Sequence, residues 1–126
     1  MIDFADVCAK RIRELGYSDA KIRRLVDVSK GGIAVRRMPT TTIREYFDGS
    51  QDLSVVVQVV VARESELQTI EEIDDIAYKL PDMDLSSENG SYSLSSTVLY
   101  TAPQELDNTQ GVSIWEMRIR AEITTK

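Results

Sequence analysis

Apolar positions near the start of the chain recur at helical spacing. Phe4, Val7, Cys8, Ile12 and Leu15 share one face, while Lys10, Arg11, Arg13 and Glu14 take the other. Asp3 stands at the N-cap position and Gly16 supplies the stop. From Ser18 to Val28 two patterns compete: a short helix carrying Ile22, Leu25 and Val26, or a strand in which Ile22, Arg24 and Val26 alternate with Arg23, Leu25 and Asp27. Gly31-Gly32 then marks a turn, and Ile33 to Arg37 reads as a short strand ended by Pro39. Thr40 to Phe47 is β-branched, aromatic and alternating, and Asp48-Gly49 turns it into a hairpin with the next apolar segment. That segment, Leu53 to Ala62, is mostly valine with Gln58 as its main polar interruption. It predicts an inner strand covered on both faces.

Ser65 with Gln68 three residues later matches a capping box, and Leu67, Ile70, Ile73, Ala77 and Leu80 form the apolar stripe of the helix it opens. Pro81 ends that helix. Asn89-Gly90 is a further turn signal, after which Tyr92, Leu94, Val98 and Tyr100 fall on one face of a strand and Ser91, Ser93, Ser95 and Thr97 on the other. Pro103 to Gly111 reads as a long polar loop. The clearest strand comes last: Trp115, Met117, Ile119, Ala121 and Ile123 alternate with Glu116, Arg118, Arg120 and Glu122. The resulting order, helix-strand-strand-helix-strand-strand, predicts an α+β domain over residues 1–126. Its sheet is expected to be mostly antiparallel, with the two helices packed on one face.

Charge refines this picture. The formal net charge of −6 argues against general nucleic-acid binding, which draws on basic surfaces. Residues 1–47 hold ten Lys/Arg against six Asp/Glu, whereas residues 48–90 hold two against eleven. Opposite charge in different segments suits copies packed head to tail, and it equally suits an ordinary solvated mosaic. Within the second helix, Glu66, Glu71, Glu72, Asp74 and Asp75 make the exposed face acidic. The like pair Glu71/Asp75 is offset by Asp75 with Lys79.

Candidate chemistry is sparse. The chain has no histidine, so no Ser-His-Asp or Cys-His arrangement can be built, and its one cysteine, Cys8, lies on an apolar stripe. The carboxylate pairs Asp82/Asp84 and Asp48/Asp52 read as solvated turn residues without a third metal ligand. The glycine pair lacks P-loop spacing, and the longest apolar run is far short of a membrane span. The expectation is a protein that is not an enzyme, with no cofactor, no metal site, no small-molecule substrate and no membrane association. The alternative is a small monomeric module that binds a peptide or ligand without catalysis.

Several patterns in order resemble the minor capsid proteins encoded among the head-completion and tail genes of phages and prophages of Gram-positive bacteria. They are Ile33-Ala-Val-Arg-Arg-Met-Pro39 running into Arg44-Glu-Tyr-Phe-Asp-Gly49, the valine strand and acidic helix, Ser87-Glu-Asn-Gly-Ser-Tyr92, and Gly111-Val-Ser-Ile-Trp-Glu-Met-Arg-Ile119. The resemblance covers about residues 30 to 124 and implies a tail-terminator-like fold. It further implies a ring, often six-fold, at the head-tail junction or tail end, in contact with head-tail or tail-tube proteins. Such a protein would be in the virion when assembled and in the bacterial host cytoplasm before. Expected subunit or partner contacts are Arg36, Arg37, Arg44, Glu45 and Asp48 near the first hairpin, together with the segment from Pro103 to Gly111. Glu71, Glu72, Asp74 and Asp75 are expected to line an acidic channel past which DNA slides.

Overall fold

A pleated strand covered on both faces accommodates valine well, and the valine run occupies the middle of the sheet. The computed structural model describes residues 2–22, 31–109 and 111–125. Its elements are α1 (Phe4–Glu14), β1 (Ala20–Ile22), β2 (Gly32–Arg37), β3 (Thr41–Glu45), β4 (Gln51–Arg63), α2 (Glu66–Lys79), a 3-10 turn (Leu80–Asp82), β5 (Tyr92–Thr109) and β6 (Val112–Thr125). Along one side β4 pairs with β6 from Asp52 to Arg63. Its other side is shared between β3, over Gln51 to Ser54, and β2, over Val57 to Ala62. β1 adds to β2 in parallel and β5 adds to β6 in antiparallel, so the main path runs β1-β2-β4-β6-β5.

The fold is thus α+β, with two α-helices and a mostly antiparallel six-stranded sheet among the described residues. The expected order does not hold, because four strands precede α2. Of the ambiguous segment, Ala20–Ile22 is strand, drawn into the sheet by pairing with Ile33 to Val35; Arg23 to Lys30 lie outside the described residues. The helices do not lie as one pair over the sheet but divide it. α1 packs on β1 and β2, and α2 packs on β4, β5 and β6.

Alternation along β4 separates two apolar groups. Leu53, Val55, Val57, Val59 and Val61 meet Phe4, Val7, Cys8 and Ile12 of α1, Ile73 and Ile76 of α2, and Met117, Ile119, Ala121 and Ile123 of β6 in the main core. Val60 and Ala62 join Ala34, Val112 and Ile114 in a smaller second cluster. The clear alternation of β6 therefore places its odd positions in the core as the sequence predicts. Its polar face differs from expectation in one place: Glu116 is buried beside Gln58.

Helix ends hold two further differences. Ser65 caps α2, its hydroxyl accepting from the Gln68 amide at 3.2 Å. The buried stripe of α2, however, is Thr69, Ile73, Ile76 and Ala77, and Leu67 points outward, because a first-turn residue on that side lies past the edge of the core. Asp3 does not cap α1 with its side chain. It accepts instead from the hydroxyls of Ser87 at 2.7 Å and Ser91 at 3.3 Å and from the amides of Glu88 at 2.9 Å and Asn89 at 3.1 Å. A residue expected to start a helix thus ties the chain start to the loop before β5.

β5 departs most from the sequence pattern. Register shifts between Leu94 and Ser96, Leu99 and Thr101, Thr101 and Gln104, and Glu105 and Asp107 break its alternation. After the first shift Thr97 and Leu99 stand opposite the core residues Ala121 and Ile119, while Val98 stands opposite Arg120 on the other face. Pro103 to Thr109 is strand, not loop. The proline is accommodated because it lies within a shifted stretch of a strand at the sheet's edge, where a missing N–H costs little.

Candidate assembly surface

Tight turn chemistry shapes the first hairpin. Asp48 accepts from the Ser50 amide at 2.9 Å and hydroxyl at 2.6 Å, and Gly49 adopts φ +89°, a conformation that suits glycine. These contacts hold the Asp48 carboxyl below its usual range. Asp52 accepts from Thr124 at 2.7 Å and from the Tyr46 hydroxyl at 2.7 Å, and both bonds hold it low in turn. The carboxylate pair Asp48/Asp52 is therefore occupied in fixing the turn and the base of the hairpin. Asp84, likewise, accepts from the Ser86 amide.

The hairpin is well formed but packs on little. Every residue from Thr41 to Gly49 is exposed, including Ile43 and Tyr46, and Phe47 at the tip is fully bare. Among the described residues β3 pairs with β4 alone, so its outer backbone edge is unpaired. Arg44, Glu45 and Asp48 of the expected contact set sit on this arm. Glu45 accepts from Gln51 at 3.0 Å. Arg37 lies just before the arm and donates to Thr40. Arg36 lies on β2 opposite Gln58, on the face that also carries Arg118 and Arg120. The structure thus brings three of the five together and sets Arg36 apart. Ile43, Tyr46 and Phe47 are missing from that set, although an aromatic pair beside an Asp-Gly turn is a visible signal.

The acidic residues of α2 also divide. Glu72 pairs with Arg63 at 2.9 Å, and Arg63 donates at 2.6 Å to Asp19 as well, which raises the guanidinium's proton affinity and fixes the β4–α2 corner. Asp75 accepts from Lys79 at 2.9 Å and from the Tyr17 hydroxyl at 2.7 Å, and these bonds hold its carboxyl low. Glu71 and Asp74 are exposed, and with Leu67 and Tyr78 they form one outward stripe at helical spacing.

The buried polar groups serve the fold. Glu116 receives the Gln58 amide at 2.9 Å, Arg118 at 3.0 Å and the Gln104 amide at 3.1 Å. Burial alone would raise its carboxyl, but these donors and the Arg118 charge outweigh that and hold it low. Burial pushes the Cys8 thiol far up, which makes it a poor nucleophile. Among the described residues no group of three His, Cys, Asp or Glu is placed to hold a metal, and no helix is long and apolar enough to cross a membrane.

β5 ends the main path at the side away from β1 and β3, and among the described residues it pairs with β6 alone. From Tyr92 to Gln104 it carries no charged side chain, and Val98, Leu99 and Tyr100 are exposed in sequence. Tyr100 lies over the Arg120 guanidinium, 5.3 Å from ring centroid to carbon. Neither protein-family models nor curated proteins give a match to this chain.

Proposed function

We propose that this chain is a structural protein of a phage or prophage particle, minor capsid or tail-terminator-like, which assembles as a ring at the head-tail junction or tail end and runs no reaction. The observation that carries the reading is the bare hairpin arm. β3 is exposed along its whole length on a β4 that is itself anchored to β6, and the bare Phe47 at the hairpin tip suits an anchor for a neighbour. The resemblance described above supplies the class of assembly. Partners in this reading are other copies of the chain and head-tail or tail-tube proteins, and the protein passes from host cytoplasm to virion. Glu71 and Asp74 then form the acidic channel face, where negative charge keeps DNA phosphates from adhering.

Deletion of the gene from an inducible prophage tests the reading. The expected result is particles whose heads and tails are made but unjoined, or whose tails have lost their defined end. Full infectivity after deletion would reject it.

A further inference from the structure

Native sheets guard their edges with charges, prolines, bulges or covering elements, because an unpaired row of N–H and C=O groups templates pairing with another chain. β5 is guarded unevenly. Its later half carries Pro103, the acidic residues Glu105 and Asp107 and most of the register shifts, whereas the stretch from Ser96 to Leu99, between the shifts at Leu94/Ser96 and Leu99/Thr101, runs in unbroken register without a charge and ends at exposed Leu99 and Tyr100. The opposite edge offers the complementary piece. β3 is a short strand with a register shift between Thr42 and Arg44; among the described residues its outer backbone row is unpaired, and Ile43 with Tyr46 and Phe47 just beyond it are exposed.

Strand direction decides how the two edges can meet. β3, β4, β6 and β5 pair in that order, each step antiparallel, so β3 and β5 run in opposite directions. Copies related by a rotation axis lying roughly along the strands keep their strand directions. The β3 arm of one copy would then arrive antiparallel to the β5 of the next and continue the ladder without reversal. The five residues of β3 span about 17 Å, enough to cover the uncharged stretch between Ser96 and Tyr100.

We infer that β5, from Ser96 to Tyr100, is the docking edge for the β3 arm of a second copy of this chain. The inference rests on the ring reading above and gives it a contact. Backbone pairing holds the arm, and Ile43, Tyr46 and Phe47 cover Val98, Leu99 and Tyr100. The contact joins two different surfaces, so it closes into a ring when the per-copy rotation divides a full turn.

Single-cysteine cross-linking tests it, since buried Cys8 stays silent. Ile43→Cys and Leu99→Cys chains are mixed and treated with a short bismaleimide. The expected product is a dimer containing one chain of each kind, absent from either chain alone, and lost when Val98→Lys is added to the Leu99→Cys chain. Circular dichroism of the Val98→Lys protein should match the parent, because Val98 is exposed, and at dilutions where both are monomers its melting should fall only slightly, from the new charge placed opposite Arg120. Cross-linking of Leu99→Cys to itself, or no cross-link in the mixture, would overturn the inference. The two readings fail separately. A cross-linked pair from a protein whose deletion leaves infectivity intact removes the virion role and keeps the contact; unjoined heads and tails with no cross-link do the reverse.

Discussion

Asp3 and Glu116 show how single carboxylates hold distant parts of this chain together. Asp3 is nearly buried and accepts four hydrogen bonds from the 87–91 loop, two of them from backbone amides. Burial would raise its carboxyl, yet the Ser87 hydroxyl and the Glu88 and Asn89 amides together keep it below its ordinary value. A group depressed in this way stabilises the fold above its unfolded-chain value, about pH 4, and that contribution is lost as pH falls through the lower folded value. Asp3→Ala should cost about 2 kcal/mol near neutrality, chiefly by stranding the two amides. Urea titrations at stepped pH should show the gap between wild type and variant shrinking from pH 6 towards pH 3; a constant gap would mean that the carboxylate charge is not what holds the loop. Glu116 and Asp75 are depressed as well, so the acid limb of the whole protein should be shallower in Glu116→Gln.

At the scale of elements, packing is concentrated in β4, β6 and the helices, and the β3 arm stands outside it. Val59→Ala removes buried methyl groups from the main core and should cost about 2 kcal/mol. Phe47 touches little within its own chain, so Phe47→Ser should leave the thermal midpoint unchanged in protein dilute enough to be monomeric. A drop comparable to that of Val59→Ala would place Phe47 in the core and remove the arm. Much of this architecture was legible in the residues. The valine run, the β6 alternation, the Ser65 cap and the Asp48-Gly49 turn each depend on neighbours in sequence, and each appears where its pattern lies. What was not legible depends on distant partners. Nothing near Asp3 announces Ser87, and nothing near Glu116 announces Gln58 and Gln104. The shifts that turn Val98 away from the core are set by the register with β6, and they let Pro103 sit in a strand that local propensity reads as a loop.

At the scale of the molecule, the β3 and β5 edges lie on opposite sides of one sheet, and the arm at one suits the uncharged stretch at the other. Of the site expected from sequence, the hairpin position was readable because turn residues mark it. The outer-strand half was not, since being an edge is a property of topology. The measurement that bears most directly on the central claim is the mass of the full chain by light scattering, followed from micromolar to millimolar concentration. The account predicts a species of fixed mass, an integer multiple above two of the 14.2 kDa chain, that falls to monomer in Val98→Lys. A monomer or two-fold dimer across the whole range, or an assembly indifferent to Val98→Lys, would contradict it.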